Sequence, residues 1–365
     1  MRILLLADTH LGFDLPLTPR VERRRRGRDF LANHLRALEP ALAGEVDLVV
    51  HGGDVFHRAR PHPTLVAQAF EPLLRVAEAG TPVFVVPGNH ERARIPHARF
   101  AAHPLIHVFD RPRAFVVDVR GTCVALFGFP YERGVVRQDF PRLVEGTGWR
   151  PGDADVSLLC VHHCFEGATV GPADFTFRRG PDVIRCRDIP RGTAAVLTGH
   201  VHRHQVLTHD LDGRPLAAPV IYPGSTERTA FAEMGEAKGT VLLEIDAEGG
   251  GPPRVRWRFR ELPARPMVVA EIRAGGPGAR PVEDQLRAAL TRAPEDAVLR
   301  LRVQGPLTGA ERAELSAVTL RALAPQEMNV EVVLADAPWR GTRRERGSSR
   351  PRGARASAAV QPSLF

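Results

Sequence analysis

Five short apolar runs, each stopping at a polar cluster, set the frame for this chain. RILLLA ends at Asp8, VDLVV at HGGD (51–54), PVFVV at PGNHE (87–91), VSLLCV at HH (162–163) and AAVLT at GHVH (199–202). Runs this short have strand length and cannot make a stable helix. They are nearly continuous in apolar residues, which predicts strands buried on both faces in a layered α/β fold. Between the early strands, RDFLANHLRALEPAL (28–42) and PTLVAQAFEPLLRVAEAG (63–80) repeat apolar residues every three or four positions and predict helices, the second stopping at Gly80.

Alternating runs at about 114–127 and 219–261, such as RVRWRFREL, predict a second sheet. After Pro263 the pattern becomes β-α-β-α-β, a small α/β unit reaching Asp336. Residues 337–365 are rich in Arg, Gly, Ser and Pro, and predict a disordered arm. The expected organisation is therefore 1–262, 263–336 and 337–365. With 365 residues and 43% hydrophobic content, the chain can bury a core of this size. The opening MRILLLAD meets a carboxylate too soon for a leader or a membrane span, and no later stretch reaches about 18 apolar residues. Cys123, Cys160, Cys164 and Cys186 form no CxxC pair and read as reduced thiols. Together these features predict a cytoplasmic protein with no membrane partner.

The net charge of +8 is concentrated. Residues 337–365 hold seven Arg and one Glu, and RVERRRRGRD (20–29) holds six Arg against Glu22 and Asp29. The rest of the body is close to neutral. Two basic segments on such a body fit a phosphate-backbone partner, with Arg23, Arg24, Arg25 and Arg26 as candidate contacts. Lys238 is the only lysine, so part of the arginine content reflects coding bias.

Loops at the carboxyl ends of strands gather function in layered α/β proteins. Here they supply Asp8, His10, Asp54, Asn89, His90, His162, His200 and His202. Carboxylate, imidazole and amide oxygen suit Mn²⁺, Fe or Zn²⁺, and the lack of thiolate argues against a structural zinc site. In TGHVHRHQ (198–205), His200, His202 and His204 would share one face of an extended segment, so spacing alone does not choose among them.

The order D-x-H, GD, GNH[DE], H, GHxH across residues 1–240 resembles the signature of calcineurin-like metallophosphoesterases. GDVFHRARP (53–61) and VIYPGSTERTAFAEMGEAKG (220–239) are similar to the SbcD-type DNA-repair exonucleases. The second stretch is expected to mark the subfamily without being needed for metal binding. The resemblance implies a layered α-β-β-α domain with a small α/β cap, and a two-metal DNA exo/endonuclease acting in repair or end processing. It implies Asp8, His10 and His202 on one ion, Asn89, His162 and His200 on the other, and Asp54 bridging. The ions would be Mn²⁺, with Fe, Zn or Mg as alternatives. His90 would stabilise charge or protonate the leaving 3′-oxygen, and His57 would assist. His204 would be a bystander at the rim or a strand hydrogen-bonder. Of the pair 162–163, the first histidine aligns with the family ligand.

DNA is the implied partner, in the nucleoid. The resemblance further implies an SMC-like ATPase of the SbcC type, although no apolar helix pattern follows Asp336 to hold it, and a homodimer. QPSLF (361–365) resembles a peptide that docks on the replicative sliding clamp, with Gln361, Leu364 and Phe365 as its contacts. Two other readings compete: a calcineurin-like phosphatase or phosphodiesterase on a non-DNA substrate, and a non-catalytic clamp-binding DNA adaptor. The complete donor set argues against the adaptor.

Overall fold

The computed structural model describes residues 1–14, 20–21, 25–91, 100, 102–247, 251–275 and 278–334. Arg23, Arg24 and the whole 337–365 arm, with Gln361, Leu364 and Phe365, lie outside the described residues.

The chain lays down one sheet, then a second, and then returns to the first. Strands β1 (Arg2–Leu6), β2 (Leu48–His51), β3 (Val83–Val85) and β4 (Ile106–Val108) run parallel as neighbours. The second sheet takes β5 (Arg113–Val119), β6 (Thr122–Gly128), β7 (Val156–Val161), β8 (Ala195–Thr198), β9 (Gln205–His209) and β10 (Pro215–Tyr222). Its order is β9-β10-β8-β7-β6-β5, with β6, β7, β8 and β10 parallel. The alternating hairpin β11 (Lys238–Asp246) and β12 (Arg254–Leu262) then pairs antiparallel with β1, Arg2 opposite Glu244. The expectation that 219–261 belongs wholly to the second sheet is thus corrected. Alternation marks a strand with one dry face, but it does not say which sheet's edge receives it.

Side-chain alternation explains how the layers stack. In β1, Ile3 and Leu5 join the core between the two sheets, whereas Leu4 and Leu6 join the core beneath the helices. In β7, Leu158 and Cys160 face the first sheet, and Leu159 and Val161 face outward into a third core. Helices α1 (Gly27–Leu42) and α2 (Pro63–Glu78) cover the first sheet. Their buried residues recur at helical spacing: Phe30, His34, Ala37, Leu38 and Ala41 in one, Val66, Ala69, Phe70, Leu73 and Val76 in the other. Pro63 opens α2 at a position where its missing N–H costs nothing. Helix α3 (Val136–Gly146) packs on the outer face of the second sheet through Val136, Phe140 and Leu143. The result is an α-β-β-α sandwich in which the central parallel strands of both sheets are buried on both faces, as the apolar runs require.

A further sheet follows, with strands β13 (Met267–Arg273), β14 (Val298–Gln304) and β15 (Asn329–Leu334) running parallel. Helix α4 (Val282–Arg292) makes the first crossover, and α5 (Gly309–Glu314) and α6 (Ala317–Leu323) the second. It has its own core, including Leu286, Leu290, Leu299, Leu301 and Leu320. Two features tie it to the sandwich. Residues Arg20–Val21 pair antiparallel with β15, and Arg265 at the junction is a buried cation. The Arg265 guanidinium donates to Asp29 Oδ2 of α1 at 3.1 Å, Asn329 Oδ1 at 2.6 Å, the Asp296 carbonyl at 2.8 Å and the Glu327 carbonyl at 2.7 Å.

Removing a buried cation deprives every group that accepts from it of a charged donor, at a cost of about 3–5 kcal/mol. Arg265→Ala is therefore expected to destabilise the protein by about that amount in urea unfolding. A loss below roughly 1 kcal/mol would show that the junction does not depend on this cation.

Candidate metal centre

Asp8 follows β1, Asp54 follows β2, Asn89 and His90 follow β3, His162 follows β7 and His200 and His202 follow β8. All five are parallel strands, so their carboxyl ends lie on one side of the sandwich, where both sheets meet. The backbones there approach too closely for side chains. A Cβ on Gly53 would sit 2.3 Å from His162 Nδ1, and one on Gly199 would sit 2.5 Å from the Gly52 carbonyl. Asp8, His10, Asp54 and His200 take positive φ values of 51°, 43°, 53° and 77°. Such a backbone is unfavourable for these residues, costing on the order of 1–3 kcal/mol each, and persists only where the surroundings over-determine it. Here it turns each side chain back over the strand ends.

Asp54 is the hub. Its Oδ2 lies 3.4 Å from His162 Nε2, and 3.8 Å from both His10 Nε2 and His90 Nε2. Its Oδ1 accepts the His90 backbone N–H at 3.0 Å. Asn89 Oδ1 is 3.1 Å from His162 Nε2 and 2.9 Å from His200 Nδ1. His10 Nε2 and His202 Nε2 face each other at 2.9 Å. Asp8 accepts the His200 backbone N–H on both oxygens and sits 4.0 Å from His162 Nε2. Asp8–His10–His202 and Asp8–Asp54–His162 form two clusters compact enough to hold a cation, and His10–His57–His90 forms a third.

The outer nitrogens are tied down. His162 Nδ1 donates to the Gly52 carbonyl at 2.7 Å, and His90 Nδ1 to the His57 carbonyl at 2.6 Å. His202 Nδ1 donates to Glu233 Oε1 at 3.0 Å. Each bond leaves the inner nitrogen facing the centre, the arrangement typical of metal-ligating histidines. Converging nitrogen lone pairs and carboxylates in a buried place need a cation between them, and the oxygen–imidazole set fits a divalent one. His10 Nδ1 is buried without a hydrogen-bond partner, so the ring is held by its place in the cluster.

The electrostatics agree. Burial raises the Asp8 carboxyl to about 6 despite His162 and His202 nearby. Burial would also raise Asp54, but the His162, His10 and His90 rings hold it far below the carboxylate range. Burial lowers His162, yet the Asp54 and Asp8 carboxylates and the Gly52 carbonyl outweigh it and lift the ring to about 9. Burial and the neighbouring His162 lower His200 to about 3. In the metal-free chain, then, a proton on His162 takes the place of positive charge.

Several residues here are not singled out by the sequence motifs. Glu91 accepts the Phe56 and Gly88 N–H groups at 3.0 and 2.6 Å, joining the loop of Asp54 to that of Asn89. His51 accepts the Gly53 N–H on Nδ1 and bonds Thr9 Oγ1 through Nε2 at 3.1 Å, joining the loops of Asp8 and Asp54. Glu91 ends the GNHE cluster and His51 opens the HGGD cluster, so position alone could have suggested both, but their part in joining the loops shows only in the tertiary contacts. His57 packs its ring 5.3 Å from that of His90, and burial with His90 and Arg58 lowers it to about 4.

His163 points away from the centre: it stacks on Tyr131 and accepts the Glu132 N–H. His204 bonds the Tyr222 carbonyl at 2.8 Å and stacks on Phe259. Arg26, a candidate DNA contact, is turned inward instead. It pairs with Asp29 and Glu227 at 3.4 Å and donates to the Arg228 carbonyl, so it is not available to a phosphate. The first turn of α1 packs against the 227–228 segment, and burial there captures the guanidinium. Arg25 is exposed and pairs with Asp14.

Residues 1–204 match the family described as calcineurin-like phosphoesterase. The chain is 30% identical to the DNA double-strand break repair protein Mre11 of Haloferax volcanii, over 83% of this chain and 61% of that one. Its namesake in Methanopyrus kandleri is 25% identical, over 74% and 59%. The one in Halobacterium salinarum is 32% identical, over 83% and 70%. The chain spans about three fifths of the length of the first two relatives.

Two outcomes are expected. His204→Ala leaves divalent-metal binding in calorimetry unchanged, whereas His202→Ala weakens it by roughly 10-fold or more. The second concerns pH. The folded His162 value of about 9 lies above the ordinary 6.5, so its proton stabilises the metal-free fold fully below 6.5 and that contribution is lost as pH rises through 9. The metal-free melting temperature should fall across that window. Added Mn²⁺ should restore more at about pH 8.5 than at about pH 6, because the ion no longer competes with a proton. An equal rise at both pH values contradicts this.

Proposed function

Because the chain belongs to the calcineurin-like phosphoesterase family, we propose that it is a metal-dependent DNA nuclease that processes DNA ends in repair through a two-ion centre, with Mn²⁺ as the native metal. The observation that carries this is the gathering of seven donors, from five strand ends of two sheets, into one centre of which the Asp54 carboxylate is a member. Relatives named as double-strand break repair proteins support DNA as the substrate.

In this reading Asp8, His10 and His202 would hold one ion and Asn89, His162 and His200 the other, and the two oxygens of Asp54 would be available to both. Bound divalent ions polarise a phosphodiester and make water nucleophilic near neutral pH. The chain's own residues supply the rest. Asp8 and Asp54 keep fixed orientation through the N–H groups of His200 and His90. His90 is no ion ligand here; its Nδ1 is committed to the His57 carbonyl, and the ring remains partly exposed. A proton at its Nε2 can stabilise the charge developing on the phosphate and pass to the leaving 3′-oxygen. His57, lowered to about 4 by burial and by the neighbouring His90 and Arg58 side chains, is neutral at pH 7 and packs the His90 ring in place. Residues 1–262 form the catalytic domain and 263–336 a cap that restricts access to it. An SMC-like ATPase and a second copy of the chain are its expected partners.

End-labelled duplex, hairpin DNA and a chromogenic phosphodiester, each incubated with Mn²⁺, test the reading. Wild type is expected to cleave the DNA substrates. His90→Ala is expected to keep its bound metal and lose about 10²–10⁴-fold in rate. Activity confined to the small diester would overturn the nuclease assignment.

A further inference from the structure

Behind His202 stands a closed set of charges drawn from the segment 228–238. Glu233 Oε1 accepts His202 Nδ1 at 3.0 Å and Thr229 Oγ1 at 2.6 Å. Glu233 Oε2 accepts the Thr229 N–H at 3.2 Å and pairs with Lys238 Nζ at 2.8 Å. Lys238 is fully buried, and its Nζ also reaches Glu236 Oε2 at 3.0 Å and the His202 carbonyl at 2.9 Å. An ammonium has three protons, and all three are used. The other Glu236 oxygen takes Arg203 Nε at 3.1 Å. Two carboxylates thus face two cations, which is what allows this set to be buried at all. Arg228 secures the turn, donating to the carbonyls of Glu233 at 3.2 Å, Glu236 at 2.9 Å and Arg265 at 2.8 Å.

These contacts leave the His202 ring little choice. With its Nδ1 facing a carboxylate that is itself fixed by Lys238 and Thr229, the ring must carry its proton there and turn Nε2 toward His10. We propose that Glu233, held by Lys238, is a positioning residue for His202: it fixes the Nδ1–H form so that Nε2 presents its lone pair to the cation. The proposal rests on the metal-site reading above. It also replaces the expectation that the 220–239 stretch is not needed for metal binding. That stretch acts on the metal through the orientation of one ligand.

The test uses the full chain, labelled with ¹⁵N-histidine and stripped of metal, with His202 assigned from a His202→Gln variant. At alkaline pH, where the ring is neutral, His202 is expected to show the Nδ1–H tautomer; an Nε2–H tautomer overturns the proposal. Calorimetry with Mn²⁺ then compares wild type with Glu233→Gln. One Mn²⁺ should bind about 10–100-fold more weakly in the variant, with the other changed little. Equal affinities for both ions overturn the proposal. If Glu233→Gln does not fold, the wild-type tautomer alone decides. If wild type binds no Mn²⁺, the metal-site reading fails, whereas the tautomer still tests the Glu233–His202 relation.

Discussion

The structure depends on the approach of the parallel-strand ends of two sheets around the Asp54 carboxylate. Carboxylates and imidazoles gathered in a dry place repel or starve one another unless positive charge lies between them. In the metal-free chain that charge is a proton on His162, which helps hold Asp54 ionised while burial lifts Asp8 to about 6. The strained backbone at Asp8, His10, Asp54 and His200 is the mechanical side of the same constraint. The glycines beside them, Gly53 and Gly199, are the spaces through which the sheets close on the site.

Much of this could be read in the residues. The five apolar runs gave strands, their unbroken apolar character gave two-faced burial, and the polar clusters at their ends gave the donors. The legible part is local: a run of apolar residues states its period, and a cluster states its chemistry. What could not be read is pairing over distance. Nothing in Lys238–Leu262 says that its hairpin adds to β1 rather than to the second sheet, because both edges would bury the same face. Arg26 illustrates the same limit. It belongs to a run of arginines suited to a solvated surface, yet Glu227, some 200 residues away in sequence, draws it inside. His204 differs from His202 by two residues and would share its face in an extended segment, and only the tertiary partners, Glu233 for one and the Tyr222 carbonyl for the other, separate them.

The buried ion pairs form a continuous support running from the metal centre to the small α/β unit. His202 leans on Glu233, Glu233 on Lys238, and the 233–236 turn on Arg228; Arg228 reaches the Arg265 carbonyl, and the Arg265 side chain reaches Asp29, Asn329 and Glu327. Rigid orientation of this kind is what a metal ligand needs, since small displacements of a reacting group cost large factors in rate. It also sets the small unit against the sandwich at a fixed place.

The proposed two-ion centre would place one ion on each side of Asp54. Anomalous diffraction from crystals soaked in Mn²⁺ tests it most directly. The account predicts two peaks about 3.5–4 Å apart, bridged by Asp54, one beside His10 and His202 and the other beside Asn89, His162 and His200. A single peak away from Asp54, or none within reach of these residues, would contradict it.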